Sequence, residues 1–180
     1  MALASLVDIK ELLSIAHGDD DALLTRVVGA ASDYFEHQTG RIILVADYVE
    51  IQDGNGGRVI VPSNYPLVSV AASGVVIDGT VVPLSTGYGV AGYYLNGNVI
   101  RLRDTWVTNG QGNVTISYRA GYTAAPEDVR QAVLELASLM YRERTRFGQQ
   151  SANISGEGVT FYYAPPARVV ATIETYRRAL

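Results

Sequence analysis

Between Arg58 and Arg119 the chain carries only four charged side chains, Asp78, Arg101, Arg103 and Asp104. Turn-forming pairs cut the same tract at short intervals: Asp78-Gly79, Asn96-Gly97 and Asn109-Gly110, preceded by Asp53-Gly54-Asn55-Gly56-Gly57. Asn-Gly and Asp-Gly supply the positive φ values that tight hairpin turns need. The segments between them are rich in Val, Ile and Tyr, whose branched or aromatic side chains suit a pleated, half-buried surface. Several short antiparallel strands are predicted. The clearest is residues 114–120, where Val114, Ile116, Tyr118 and Ala120 face one way and Thr115, Ser117 and Arg119 the other. Residues 79–100 carry no charge, but Gly79, Pro83, Gly87, Gly89, Gly92, Asn96 and Asn98 interrupt them, so they read as sheet and not as a membrane-crossing helix.

Helical patterns lie on both sides of this tract. Ser5 and Asp8 have the spacing of a capping box, opening a helix over about residues 6–16 with Ile9, Leu12, Leu13 and Ala16 on one face and Gly18 as its stop. Asp19, Asp20 and Asp21 offer acceptors to the free N–H groups of a second helix. Its apolar face is Leu24, Val27, Val28, Ala31, Tyr34 and Phe35, and Gly40 ends it. Pro126, Glu127 and Asp128 open a long third helix striped by Val129, Ala132, Val133, Leu136, Met140 and Phe147. Arg142, Arg144 and Arg146 crowd the negative end of its dipole, and Gly148 is the expected cap. Residues 149–158 read as a polar, mobile loop. Val159, Phe161 and Tyr163 alternate like one more strand, and Pro165-Pro166 launches a last helix with Val169, Val170, Ile173 and Tyr176.

The fold class expected is α+β: a helical bundle, made of an N-terminal helix pair, the long third helix and a C-terminal helix, with an inserted antiparallel β module. All 180 residues fit one domain, with residues 1–40 and 123–148 as helical core, 41–122 as inserted module, and 149–180 as loop, strand and C-terminal docking helix.

Charged residues make up 18% of the chain and hydrophobic ones 48%, against roughly 25% charged in an average soluble domain, so part of the surface is expected to be covered by partners. Net charge is −4 and unevenly spread: four basic against ten acidic groups in residues 1–60, four against five in 61–140, six against three in 141–180. A head-to-tail ring or a basic docking tail could use such a gradient, and so could ordinary surface variation. Without cysteine there is no disulfide framework, thiolate metal site or cysteine nucleophile. Met1-Ala2-Leu3-Ala4 lacks the basic start and long apolar core of a signal peptide.

Catalytic chemistry finds little support. His17 and His37 each end a predicted helix, and His17 beside Asp19, Asp20 and Asp21 lacks recognised ligand spacing, so no metal is expected. Asp53-Gly54-Asn55-Gly56-Gly57 lacks the later glutamate of a calcium loop and reads as a turn. The nucleophile elbow, phosphate loop and zinc-protease patterns are all missing, and Lys10 is the single lysine. The C-terminal arginines, with an isoelectric point near 5.1 overall, suit helix-end compensation and protein docking better than tight DNA binding. Twelve tyrosines, Tyr93-Tyr94 and Tyr162-Tyr163 among them, point to contact surfaces or to the rim of a β-rich core.

Taken in order, these pieces resemble the tailed-bacteriophage head–tail connector (adaptor) family. The opening Leu6-Val7-Asp8-Ile9-Lys10-Glu11-Leu12-Leu13, the entry Asp19-Asp20-Asp21-Ala22-Leu23-Leu24, then Ala30-Ala31-Ser32 and Gln38-Thr39-Gly40-Arg41 are similar to its N-terminal hairpin. Tyr65-Pro66-Leu67-Val68-Ser69-Val70, the strand Val114 to Tyr122, the helix from Pro126 to Val133 and the end from Pro165 to Arg178 resemble their family counterparts. Minimal members are almost entirely helical, so this chain reads as a longer member with a β-rich insertion.

The resemblance implies a structural subunit, with no enzyme activity and no cofactor, that forms a homo-oligomeric ring, commonly a dodecamer, beneath the portal protein. A stopper or other tail-side neck protein would bind the opposite side, and the genome would pass non-specifically through the lumen; no membrane is involved. The protein would be made in the host cytoplasm and reside in the virion neck. Portal docking is assigned to the C-terminal segment and within it to Arg168, Tyr176, Arg177, Arg178 and Leu180. The alternatives are a stopper or tail-completion neck protein, and a β-rich ligand-binding module from outside the phage world.

Overall fold

The structure is a computed structural model that describes residues 2–144, 151–154, 157–160 and 164–177. It combines four helices with antiparallel sheets, the expected α+β class. Two compact units are present, Met1–Ile43 with Ala124–Leu180, and Leu44–Thr123.

The first unit is helical: α1 (Leu6–Leu13), α2 (Asp21–Thr39), α3 (Glu127–Glu143) and α4 (Ala167–Tyr176). At the start of α1 the Asp8 N–H donates to Ser5 Oγ at 3.2 Å, and the Ser5 N–H donates to Asp8 Oδ2 at 2.9 Å. The Ser5 N–H first, then its hydroxyl, hold the Asp8 carboxyl below its ordinary range, with Arg130 adding to the effect against partial desolvation. The helix stops at Leu13, short of the expected Ala16, because Ser14 turns left-handed at φ 56° and closes it before Gly18 is reached. The Ser14 N–H bonds Glu11 O and the Ile15 N–H bonds Lys10 O, satisfying carbonyls the helix would otherwise leave open. Lys10 Nζ then donates to His17 O at 2.8 Å and to Asp21 Oδ1 at 2.7 Å, fixing the turn into α2. Gly40, at φ 67°, ends α2 with the same closure, its own N–H bonding His37 O and that of Arg41 bonding Glu36 O.

Apolar residues at helical spacing meet inside this unit. Leu24, Val28, Ala31 and Phe35 of α2 are buried with Val129, Ala132, Val133, Leu136 and Ala137 of α3, joined by Ile9 of α1 and by Val169 and Ile173 of α4. Ser32 is fully buried without an unmet polar group, since its hydroxyl donates to Val28 O and accepts the Leu3 N–H. After α3, the expected Gly148 cap and the side chains of Arg146 and Phe147 lie outside the described residues. Where a polar loop is expected, β8 (Ser151–Ile154) pairs antiparallel with β9 (Glu157–Thr160). Four-residue polar strands carry too little alternation to stand out from a loop in sequence. Val159 falls in β9, while Phe161 and Tyr163 lie outside the described residues.

The second unit holds β1 (Ala46–Gly54), β2 (Val59–Ile60), β3 (Leu67–Ile77), β4 (Thr80–Val81), β5 (Gly92–Asn96), β6 (Val99–Arg103) and β7 (Gly110–Ala120). They make a four-stranded sheet in the order β1-β7-β3-β4 and a three-stranded sheet in the order β2-β6-β5. One core takes side chains from both: Val75, Ile77, Val114, Ile116, Tyr118 and Ala120 from the first, Ile60, Tyr93, Ile100 and Leu102 from the second. The alternation read at residues 114–120 decides which side of β7 faces that core, because a one-residue slip would carry all four inward side chains to solvent. Asp53-Gly54-Asn55-Gly56-Gly57 is a turn region. The Asp53 carboxylate accepts the Gly112 N–H at 2.6 Å, and a Cβ at Gly54 would lie 1.9 Å from Thr108 O, so only glycine fits there.

Glu50 of β1 ties the two sheets together. Its carboxylate accepts the Ser63 N–H at 3.1 Å, the Ser63 hydroxyl, Gln52 Nε2 at 2.8 Å and the Tyr118 hydroxyl at 2.7 Å. The Tyr118 oxygen in turn accepts from Asn64, and its ring stacks on Tyr48 with centroids 5.5 Å apart. The segment leaving β2 is therefore held to the neighbouring sheet. Burial pushes the Glu50 carboxyl up, but the bonds from Ser63, Gln52 and Tyr118 outweigh it and leave the group below its ordinary range. Burial also raises the Tyr118 phenol, helped by the adjacent carboxylate and opposed by Asn64.

Two outcomes follow for stability. Ile116→Ala, emptying a fully buried position on the central strand, is expected to cost about 2–5 kcal/mol in chemical denaturation. Folded Glu50 holds its proton less tightly than unfolded Glu50, so it favours the native state above the ordinary carboxylate pKa of about 4.3 and loses that contribution as pH falls through its lower folded value. Glu50→Gln should reduce stability at pH 7 by about 1.5–3 kcal/mol, the usual worth of charged hydrogen bonds, and flatten the acid limb of a stability–pH curve; an unaltered acid limb would contradict this.

Candidate assembly surfaces

Three of the five residues assigned to docking lie in or just beyond α4; Arg178 and Leu180 lie outside the described residues. Pro166 precedes the helix with φ −53°, and the helix buries Val169 and Ile173 against the rest of its unit. The Tyr176 ring meets Phe35 at 6.5 Å between centroids, and its hydroxyl donates to the Asp128 carboxylate at 2.9 and 3.0 Å. Arg168 reaches Glu135 at 3.4 Å but keeps 70% of its side chain exposed. Arg177 pairs with Glu174 at 2.8 Å and reaches Gln38 O at 3.5 Å. The helix is thus built into its unit, with Tyr176 an anchor inside it and Arg168 the more open of the two arginines.

The uneven charge of the sequence becomes local pairing in space. The acidic start of α2 lies beside the basic end of α3, since the Tyr141 hydroxyl donates to Asp20 at 2.5 Å and the Arg144 guanidinium sits 3.8 Å from the Tyr141 ring centroid. The hydrogen bond to Asp20 is the first cause raising the Tyr141 phenol above its ordinary range, ahead of burial, with the Arg144 charge opposing. Each group also faces the helix end whose dipole it complements. Beside them an apolar groove of about 500 Å³ runs along α2 and α3, lined by Leu23, Val27, Tyr34, Leu136, Leu139 and Met140, with Glu143, Arg144 and Pro165 at its rim. His17 lies near Asp19 at 3.5 Å on the surface, and His37 is exposed at the other end of α2. Among the described residues, no three His, Cys, Asp or Glu side chains are placed to hold a metal ion.

In the β unit the two outward faces differ. On the four-stranded sheet, Val49 and Ile51 of β1 stand open between Asp47 and Asp53, beside a shallow groove of about 370 Å³ that Asp47, Val49, Ser69, Ala71, Ser117 and Arg119 help to line. On the three-stranded sheet, register places Val59, Arg101 and Tyr94 in one row. The Arg103 guanidinium lies 4.6 Å from the Tyr94 ring centroid and 5.6 Å from that of Tyr88. Sequence reading missed this cluster, although Arg101 and Arg103 as the only cations between Arg58 and Arg119 are its visible trace.

The open surfaces of both units carry apolar, tyrosine and arginine side chains, while many polar groups serve helix ends and turns. A family profile described as Head completion protein matches residues 2–179, and the chain belongs to that family. The fold is shared with chains in solved structures of gene transfer agent particles. In the neck of the native particle computed with C12 symmetry, the similarity has a TM-score of 0.59 at 21% identity, covering 99% of this chain and 90% of that one. In the neck of the empty particle computed with C6 symmetry it is 0.58 at 21%, covering 99% and 91%. In the virion of the native particle it is 0.59 at 20%, with the same coverage, 99% and 91%. No curated protein matches the chain.

If Tyr176 anchors α4 through its hydroxyl, Tyr176→Phe should lower stability by about 0.5–1.5 kcal/mol in thermal or denaturant unfolding. Arg168→Glu, on an open side chain, should stay within about 1 kcal/mol of the parent.

Proposed function

We propose that this chain is a structural subunit of the neck joining a bacteriophage head to its tail, acting by oligomerisation and docking and not by catalysis. The observation that carries the reading is the match to the Head completion protein family over residues 2–179, on a fold shared with neck chains at TM-scores of 0.58–0.59. Twelve-fold and six-fold symmetry in those particles supports a ring, most simply a dodecamer. A head-to-tail contact repeated with a rotation that divides a full turn closes such a ring without leaving a free end. The portal protein on one side and a stopper or other tail-side protein on the other are the partners, with DNA passing through the centre without sequence-specific contact. The protein then resides in the virion after synthesis in the host cytoplasm.

The portal-facing surface in this reading is the C-terminal segment, with Arg168 and Arg177 as its reachable cations, Tyr176 holding the helix in place, and Arg178 and Leu180 at its end. Because Val169 and Ile173 are core residues, removing residues 166–180 would also unsettle the helical unit. Point charge reversals are the cleaner probe.

Particles assembled without this chain should accumulate as heads lacking tails, and particles assembled with it should contain about twelve copies each by quantitative mass spectrometry, following the ring symmetry above. Normally tailed, infectious particles in its absence would defeat the proposal. Arg168→Glu with Arg177→Glu, in a chain of unchanged thermal stability, should abolish capture by portal, and undiminished capture would reject the portal-facing assignment alone.

A further inference from the structure

The two outward faces of the β unit carry different groups, tyrosines and arginines on one and a carboxylate beside open Val49 and Ile51 and a shallow groove on the other. Tyr88 is fully exposed. It stands between Gly87 and Gly89 on a loop whose form is fixed from within: Ser85 Oγ donates to Gly87 O at 3.1 Å and to Val90 O at 2.8 Å, and Arg103 Nη1 donates to Ser85 Oγ at 3.2 Å. A solvent-exposed phenol on a pre-ordered loop, backed by a guanidinium, has the composition of an interface anchor. Arg101 and Arg103 have no carboxylate partner among the described residues, and Arg101 is exposed.

The opposite face supplies what these groups lack. Asp47 keeps 81% of its side chain exposed and has only a 4.0 Å approach to Arg119. Val49 and Ile51, at 74% and 66% exposed, are the most open aliphatic side chains of the edge strand β1. The groove beside them is concave where β3 breaks register with β7 between Val70 and Val75. It is large enough for an aromatic side chain and is lined by Asp47, Ser69 and Ser117, with Arg119 beside the Asp47 carboxylate.

We propose that the Tyr88 loop and the Arg101–Arg103 row of one copy dock on the Asp47–Val49–Ile51 face of the next copy, with Tyr88 entering the groove and the arginines meeting Asp47. The occupant of each face is therefore a second copy of this chain, and the contact is heterologous, joining unlike patches. This rests on the ring reading above and names the surface that builds the ring. Asp47 and Arg101 supply the attraction and the register, and Tyr88, Val49 and Ile51 supply the apolar area that leaves water.

The chain has no cysteine, so introduced pairs report without background. Val49→Cys and Tyr88→Cys in one full-length chain, assembled into particles and oxidised mildly, should give a non-reducing ladder of multiples rising to the closed ring. Each single variant should run as monomer. Multiple copies per particle with no ladder would overturn the contact while the ring stands. Dimers from Val49→Cys alone would overturn it too, since they report a like-to-like contact. Particles containing a single copy would remove the ring reading, and the contact with it. Charge reversal gives an independent measure: Arg101→Glu and Asp47→Arg should each cut incorporation about ten-fold or more, and the two combined in one chain should recover most of it. Failure of the pair to recover, with each variant folded by thermal melt, would also reject the contact.

Discussion

The inward row of β7 is the constraint on which the β unit depends. Val114, Ile116, Tyr118 and Ala120 are each at most 3% exposed, and β7 pairs with β1 on one side and β3 on the other. Its register therefore sets the inner and outer faces of the whole first sheet. Tyr118 adds a polar component, because its hydroxyl reaches Glu50 and Asn64 while its ring stays in the core. The same strand that supplies apolar area thus also orients the segment leading away from β2. Its outward residues, Thr115, Ser117 and Arg119, keep that face polar at the centre of the sheet, and the apolar exposure falls on the edge strand β1. An open edge with apolar side chains invites pairing unless something covers it, and the proposed contact with the next copy would cover it.

The helical unit handles its charges differently. Acidic groups at the start of α2 and basic groups at the end of α3 compensate helix dipoles, and Tyr141 links the two sets through Asp20 and Arg144. Antiparallel packing brings the start of α2 to the end of α3, so acidic and basic groups far apart in the sequence lie near one another there. What stays open along those helices is apolar, the groove between Leu23, Val27, Leu139 and Met140.

Much of this was legible in the sequence because strong local signals agreed with the tertiary outcome. Ser5 and Asp8 form the expected capping box, Gly40 caps α2 in the left-handed conformation, and Pro126 precedes α3 with acidic residues in its first turn. Residues 114–120 alternate as read because one face is fully buried and the other is not. The misses come where local signals are weak or are overruled. Ser14 adopts a left-handed closure usually left to glycine, so α1 ends before Gly18. β8 lies among small and polar residues with no alternation to announce it, and β9 begins at Glu157, ahead of the strand read from Val159. The surfaces were harder still. Arg101 and Arg103 alternate on one strand, but Tyr88 and Tyr94 reach them only through the pairing of β5 with β6 and the course of the Tyr88 loop.

The division of labour between inner and outer faces also explains the scarcity of charge from Arg58 to Arg119. A two-sheet module of this size spends its apolar residues on the core, and its turns are satisfied by Asn and Gly, as at Asn113, which serves Gly54 and Asp78 together. Few positions remain for charge, so each of those present carries weight. Asp78 is held below its ordinary range by Thr108 and then Asn113, a turn role. Glu50 is consumed between the sheets and Asp53 by the Gly112 N–H. Arg101 and Asp47 are exposed charges that the fold uses little, while Arg103 is shared with Ser85, Tyr88 and Tyr94, and the arginines and Asp47 lie on opposite outward faces. A unit that sets exposed apolar and aromatic side chains on its outward faces, with charges beside them, is better suited to meeting its own copies than to gripping a small ligand, which would need polar groups converging on a single cavity.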